Sequence, residues 1–521
     1  MKPFDSSGAF RHAADGDGLR RLAVRSAGVT VISHSLAFAI QIIATVVLAR
    51  LLTPADFGLL TMVTTFSLFF VSFGLNGFTE AVLQREEMDH ALASNLFWIN
   101  VGQGLLLTIG FTAAAPLLAR FYGEPLVAAV AIVIASTIFF TSLSVLHLAL
   151  LMRAMRFSDV SANGVIARAV SVTASIILAL VGWGYWALVA GAVALPLATS
   201  VGAWVSCRWL PGLPRRGVGT GPMVRFAINT YGRFTANYLT RNLDNLLLGW
   251  RFGAQSLGFY KRAYDLFVLP ASKLSDPLTA VAASTLSRLT RDPAQHRRYL
   301  LSALSTLAFV GAGLGAGFTL IGADLIRLLL GPGWEESGRI FTFFGPGIGI
   351  MLLYDIHSWI HISIGTADRW FRWGLVEFTV TGLLFLLGLR WGPVGIAGAW
   401  VASFWVLTIL ALWYAGRPIH LGVASIVGAV WKYLLASALA GCSTALIIRG
   451  IPFFVTVSGP VGAVARVVMV SLLFGGFYLG AVILLHRGCG PIYQVARLLR
   501  DMVPWRPSRS SLASSRFVSR L

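Results

Sequence analysis

Residues 126–150 read LVAAVAIVIASTIFFTSLSVLHLAL and contain no Asp, Glu, Lys or Arg. An α-helix rises about 1.5 Å per residue, so about 20 apolar residues cross the hydrocarbon core of a bilayer. This stretch is long enough, and it is apolar on every face, which suits a helix surrounded by lipid or by other helices. Working outward, the same pattern recurs at 95–118, 57–78 and 28–49 on the N-terminal side and at 161–181 and 184–206 on the other. It continues at 225–249, 259–283, 299–322, 340–363, 372–389, 394–415, 427–448 and 463–485. About fourteen spans are therefore expected, an even number that leaves both termini on one side. The whole chain of 521 residues agrees: 56% is hydrophobic, only 12% is charged and the mean hydropathy is +0.76. Soluble domains carry roughly 25% charged residues, so a large soluble enzyme is excluded.

The formal charge of +20 raises the question of nucleic acid. Placed on the helix map, most basic residues fall on alternate connections: Arg11, Arg20, Arg21, Arg25, Arg85, Arg153, Arg156, Arg208, Arg215, Arg216, Arg288, Arg297, Arg298, Arg369, Arg372, Arg417 and the arginines from Arg487 to Arg520. The other connections hold fewer, chiefly Arg50, Arg120, Arg251, Arg327 and Arg339. By the positive-inside rule both termini are cytoplasmic, and no compact basic patch interleaved with aromatics argues for a nucleic-acid partner. Residues 1–26 lack an apolar run with a small-residue cleavage site and read as a cytoplasmic tail. Cys207, Cys442 and Cys489 have no C-x-x-C spacing and indicate neither a metal centre nor a disulfide framework.

An internal repeat is visible where helices end. Ala49-Arg50-Leu51-Leu52 leading to Phe57-Gly58-Leu59-Leu60 is echoed by Trp250-Arg251-Phe252-Gly253 leading to Leu257-Gly258-Phe259-Tyr260. Leu118-Ala119-Arg120-Phe121-Tyr122-Gly123 has a shorter echo in Leu328-Leu329-Leu330-Gly331, and Gly184-Tyr185-Trp186-Ala187 resembles Gly395-Ile396-Ala397-Gly398. The offsets of about 200 to 211 residues equal six spans, so parallel halves of six helices plus two extra helices are expected, an organisation typical of transporters. The domains then fall at 27–207 and 225–420 for the two bundles, with a cytoplasmic linker at 208–224. Residues 421–486 form the two extra helices, and a basic cytoplasmic tail occupies 487–521.

Within the seventh span Arg233, Asn237, Arg241 and Asp244 recur at helical spacing and share one face. Ionisable groups inside a bilayer are costly unless paired or hydrated, and they mark pathways, so these four are candidate ligands for an anionic substrate. The competing reading makes Arg241 and Asp244 a self-neutralising pair. Lys273 and Asp276 form an i, i+3 pair between Pro270 and Pro277, which are expected to break the eighth span, and with Asp355 and Glu377 they are candidates for ion coupling. His357 and His361 stand at i, i+4, but no third ligand accompanies them and aromatic packing is the better reading. Gly311, Gly313, Gly315 and Gly317 sit inside an apolar span and suit close helix packing, and no nucleotide-binding loop is present.

The motifs Ala49-Arg50-Leu51-Leu52-Thr53-Pro54-Ala55-Asp56-Phe57-Gly58, Leu151-Met152-Arg153-Ala154-Met155-Arg156-Phe157, Gly184-Tyr185-Trp186-Ala187, Asn242-Leu243-Asp244-Asn245 and Leu257-Gly258-Phe259-Tyr260-Lys261-Arg262-Ala263-Tyr264 appear in that order. Over residues 27–420 the chain resembles the polysaccharide exporters of the multidrug/oligosaccharidyl-lipid/polysaccharide superfamily. The resemblance implies an all-α integral membrane protein of two six-helix bundles around a central cavity, with no cofactor and no enzymatic activity. It also implies an alternating-access flippase of the bacterial inner membrane that moves an undecaprenyl-diphosphate-linked oligosaccharide for surface or exopolysaccharide biosynthesis. Partners would be that lipid-linked oligosaccharide, membrane lipids, a polysaccharide polymerase and a chain-length regulator. Arg50, in the first motif, joins Arg233 and Arg241 as a candidate for binding the diphosphate. Other readings are a peptidoglycan-precursor flippase or a drug antiporter of the same superfamily, and a membrane polymerase or ligase, which would need a long periplasmic loop.

Overall fold

The structure is a computed structural model that describes residues 3–5, 7–10, 17–85, 88–216, 220–290, 292–451 and 459–502. Its described residues are almost wholly helical: α1 (Asp17–Leu51), α2 (Pro54–Gln84), α3 (His90–Tyr122), α4 (Leu126–Arg153), α5 (Phe157–Leu180), α6 (Tyr185–Cys207) and α7 (Gly221–Arg288). There follow α8 (Pro293–Leu330), α9 (Glu335–Ile364), α10 (Ala367–Gly388), α11 (Gly392–Gly416), α12 (Val423–Gly450), α13 (Gly459–His486) and α14 (Gly490–Met502). Among the described residues, 11 stretches are long and apolar enough to cross a membrane, and one of them, Ala367–Ile419, contains both α10 and α11. Each arm of the 68-residue α7 also exceeds the about 20 residues a bilayer requires.

The seventh and eighth spans are one broken helix. Its single non-helical residue is Gly253, with φ 78° and ψ −178°, a conformation that only glycine adopts without strain. The expected breaks at Pro270 and Pro277 do not occur, because the backbone stays helical through both. Membrane helices tolerate proline where neighbouring groups take up the freed carbonyls.

The chain forms two compact units. The first contains Met1–Leu269, Gly322–Phe344 and Asp368–Ser403. In it α4 is central, packed by α2, α3 and α6, and α5 lies between α6 and α1. Polar groups inside this apolar bundle are tied to backbone carbonyls: Trp204 Nε1 donates to Leu143 O at 3.0 Å, and Ser200 donates to Phe140 O. Burying them unpaired would be costly. The second unit contains Pro270–Ile321, Gly345–Ala367 and Phe404–Leu521. There α8 meets α9 so closely that a Cβ on Gly349 would lie 2.3 Å from Gly311 O, the small-residue packing expected of that glycine run. Helices α12 and α13 pair with each other. Ser437 and Tyr478 donate to Ala312 O and Phe309 O of α8 at 2.7 and 2.6 Å, and Gln494 of α14 reaches Ser302 and Thr306.

The N-terminal segment is docked on the first unit. Phe4 pairs with Phe10 and Ala9 with Asp89 through β-bridges, and both phenylalanines are buried against Leu92, Leu96, Leu150 and Trp209. Arg153 holds this end together: its Nη1 donates to Val82 O at 2.8 Å and to Arg85 O at the end of α2, and its guanidinium lies 5.2 Å from the centre of the Phe10 ring. A cation on C-terminal helix carbonyls is favourable. Replacing Arg153 by Met is expected to cost about 1–3 kcal/mol, read as a lower thermal midpoint of the purified protein. An unchanged midpoint would show that the α2 end does not depend on this guanidinium.

Candidate functional site

The opposite end of α2 carries the first repeat motif. Thr53 and Asp56 form a capping box, with Asp56 Oδ2 accepting from Thr53 N at 2.8 Å and from Thr53 Oγ1 at 2.7 Å. Pro54 occupies the first helical position, where its missing amide costs nothing. This starts α2 so that Gly58 faces the break in α7. A Cβ on Gly58 would lie 1.7 Å from Ala254 O, and a Cβ on Gly258 would lie 1.8 Å from Pro54 O. The two contacts are reciprocal, since 54 and 254, like 58 and 258, are equivalent positions about 200 residues apart in the repeat. Two aromatic residues follow the same exchange. Trp334, after α8, donates its Nε1 to Ala49 O at 2.8 Å, while Tyr122, ending α3, lies where a Cβ on Gly249 would be 2.7 Å from its ring. Each half thus places an aromatic side chain on the helix end of the other. Trp334 is buried between Phe57 and Phe259, with ring centres at 5.5 and 6.0 Å, and the Arg262 guanidinium stands 4.3 Å from the Phe57 ring centre.

The face picked out on α7 divides into parts. Asp244 is fully buried, and its carboxylate accepts from Tyr260 Oη at 2.7 Å, Trp400 Nε1 at 2.8 Å and Asn245 N at 2.7 Å. It therefore joins the two arms of α7 across the Gly253 break and ties both to α11. The three hydrogen-bond donors to it are neutral. Arg241 is half-buried one turn earlier and near enough to Tyr264 to act on it electrostatically. A turn before Arg241, Tyr238 donates to Thr65 O of α2 at 2.8 Å. The side chains of Arg233 and Asn237 lie outside the described residues.

Arg50 is exposed, and its Nη2 donates to Leu328 O at 2.9 Å, at the C-terminal end of α8. Lys261 and Arg262 face Asp265 on the second arm of α7. In the second unit Asp355 accepts from Ser275 Oγ at 2.7 Å, and Trp359 Nε1 donates to Thr279 Oγ1 at 2.8 Å, so α9 and the end of α7 share polar contacts. The side chains of Lys273 and Asp276 lie outside the described residues, and Glu377 is half-buried on α10. His357 and His361 are taken up by the protein, with Nδ1 atoms 2.6 Å from Tyr354 O and 2.8 Å from Thr366 Oγ1. Tyr260 and Trp400 were not singled out as polar partners. The signal for Tyr260 was its place in the motif Leu257-Gly258-Phe259-Tyr260, whereas Trp400 gave none, being one aromatic residue in an apolar helix.

A family model described as "Polysaccharide biosynthesis protein" matches residues 47–339, which spans the reciprocal seam, the α7 face and the turn carrying Trp334. The chain belongs to this family of polysaccharide biosynthesis transporters. Proteins similar to it include the succinoglycan biosynthesis transport protein ExoT of Rhizobium meliloti (strain 1021), 21% identical over 74% of this chain and 78% of that protein. The teichuronic acid biosynthesis protein TuaB of Bacillus subtilis (strain 168) is 24% identical over 70% of this chain and 76% of its own. The lipopolysaccharide biosynthesis protein WzxC of Escherichia coli (strain K12) is 23% identical over 61% and 65%. Among solved structures, a lipid II flippase MurJ in an inward closed conformation superposes with a TM-score of 0.68 over 88% of this chain and 100% of that one, at 14% identity. An inward-facing multidrug resistance MATE transporter gives 0.60 over 75% and 98%, at 13% identity. This polysaccharide biosynthesis transporter is thus an all-helical, multi-pass membrane protein of the MurJ and MATE fold, and it is not an enzyme.

Proposed function

We propose that this transporter flips an undecaprenyl-diphosphate-linked oligosaccharide repeat unit across the bacterial inner membrane by alternating access, with both termini cytoplasmic. The observation that carries the reading is the placement of Arg241. It is a half-buried cation on α7, close to Tyr264 and on the face that the sequence pattern also gives to Arg233 and Asn237. An arginine in such a setting suits the paired oxygens of a diphosphate. The polar sugars would pass beside it while the prenyl tail stays in lipid. Arg233 and Asn237, at helical spacing on the same face, would extend the surface, and Asp244 orients it from behind. Arg50 supports the helix ends that frame it.

The two bundles at 27–207 and 225–420, the linker at 208–224 and the added pair at 421–486 fit this reading, and the reciprocal seam at matching repeat positions supports the division. Asp355, with Lys273, Asp276 and Glu377, would carry the ion coupling. A polymerase and a chain-length regulator would receive the flipped unit. Arg241→Glu is expected to lower surface polysaccharide at least about tenfold while the protein still accumulates in the membrane, because reversing the charge repels a diphosphate in a low-dielectric site. Wild-type polymer in that variant would remove Arg241 from the site.

A further inference from the structure

Beyond α6 the chain turns back along the side of α3. Residues 208–216 read Arg-Trp-Leu-Pro-Gly-Leu-Pro-Arg-Arg and form a strap that is neither helix nor strand. Four side chains of α3 hold its main chain. His90 Nε2 lies 3.3 Å from Leu210 O, Ser94 Oγ accepts from Gly212 N at 2.9 Å, and Trp98 Nε1 donates to Gly212 O at 2.9 Å. Asn95 grips Arg215 at two points, accepting from its amide at 2.8 Å and donating to its carbonyl at 2.6 Å. Pro211 and Pro214 have no amide to satisfy. Irregular backbone is tolerated at membrane depth only where its polar groups are taken up in this way.

The 33 residues of α3 make about 50 Å of helix against a hydrocarbon core of about 30 Å, so a centred helix enters the acyl chains about 10 Å from His90, close to Trp98. Gly212, bonded to Trp98, stands at that boundary. Leu210 and Leu213 are 76% and 83% exposed, and Trp98 beside them 42%. The hydrogen bonds pin the strap with these side chains outward, so only lipid can cover them. Arg208, Arg215 and Arg216 are exposed as well, no acid lies in the strap, and none of the three takes part in an ion pair among the described residues. Apolar side chains at the acyl boundary with arginines beside them make an interfacial anchor, and tryptophan is enriched at that level. We infer that residues 208–216 anchor the connection between the two repeats to the bilayer surface: Leu210 and Leu213 enter the acyl boundary, and Arg208, Arg215 and Arg216 bind phosphates of anionic phospholipids.

The test uses the full-length protein in lipid nanodiscs, with the exposed Cys442 and Cys489 exchanged for serine. A bimane label carried by Leu213→Cys is expected to be quenched by a nitroxide on the upper acyl chain and shielded from iodide. Its iodide quenching constant should be at least about fivefold below that of the same label on Gln295→Cys, an exposed position in the first turn of α8. Equal iodide access at the two positions would put the strap in water and overturn the inference. Phosphatidylglycerol at about 30% of the lipid is expected to raise the thermal midpoint by about 3 °C or more over phosphatidylcholine alone. The combined change Arg208→Gln, Arg215→Gln and Arg216→Gln should remove at least half of that gain. No gain in the wild type, a gain that the triple variant keeps in full, or one that free pyrophosphate reproduces in phosphatidylcholine would each overturn the binding of lipid phosphates. Neither measurement involves cargo, so failure here leaves the assignment of Arg241 standing.

Discussion

Gly58→Ala is expected to leave little folded protein in the membrane and no surface polysaccharide. The added methyl carbon would sit 1.7 Å from Ala254 O, whereas non-bonded carbon contacts are comfortable near 3.5–4.0 Å. The atom it meets is main chain held in a helix, so no side chain can swing aside. Relief requires α2 and the second arm of α7 to separate by roughly 1.5 Å or more, well beyond what a close-packed interior absorbs. That movement would also pull Gly258 from Pro54 and Trp334 from Ala49, which lie in the same seam. Overpacking of a side-chain core costs about 1–3 kcal/mol, and collision of the new methyl with the Ala254 main chain should exceed that. The checks are membrane accumulation and the thermal midpoint. Gly102→Ala and Gly110→Ala on α3 serve as controls, because nothing lies within 4 Å of either added Cβ. A Gly58→Ala protein that unfolds where those controls do would refute the close contact.

Asp244→Leu is expected to be nearly as damaging for a different reason. It removes one carboxylate and strands three donors, namely the Tyr260 hydroxyl, the Trp400 indole and the Asn245 amide. Breaking a buried charged network by deleting one partner costs about 3–5 kcal/mol. Average hydrogen bonds between membrane helices contribute only about 0.6 kcal/mol, but these converge on a single carboxylate in a fully buried position. The series should therefore fall in the order wild type, Tyr260→Phe, Asp244→Asn, Asp244→Leu in thermal midpoint. Tyr260→Phe gives up one bond, and Asp244→Asn keeps one acceptor oxygen but turns an amide group toward donors. An Asp244→Leu protein as stable as Tyr260→Phe would show that the carboxylate is not the junction of α7 and α11.

Much of the helix plan was legible because lipid imposes a simple condition on sequence. Every spanning segment must be long and apolar, and residues 126–150 announce this without any knowledge of partners. The repeat was legible for a related reason: glycines at positions 58 and 258 and the residues around them are fixed by contact with backbone, which tolerates no variation. What could not be read was the pairing of polar groups across long separations. Trp400 lies 156 residues from Asp244, and nothing in the apolar run around it distinguishes the indole that donates. Residues 1–26 read as a tail because they hold no apolar run, yet Phe4 and Phe10 find a ready apolar surface at Trp209. The break at Gly253 falls in the gap between the spans 225–249 and 259–283, whereas the further breaks expected at Pro270 and Pro277 do not form, because proline disrupts an isolated helix more predictably than one packed among neighbours. In a packed bundle the deciding factor is which neighbour approaches, and the start of α2 comes closest at Ala254 and Gly258, just after the break.

The exchange of contacts between positions 54 and 258 and between 58 and 254 also constrains ancestry. Each half supplies the glycine that the other half's main chain requires, so neither half is a self-sufficient module. A hybrid that joins the first half of one relative to the second half of another keeps its seam only if both parents place glycine at the same two positions and start the following helix in the same register. Drift in one half is answerable only by coordinated change in the other, and the two copies of the repeat have to be inherited as a matched pair.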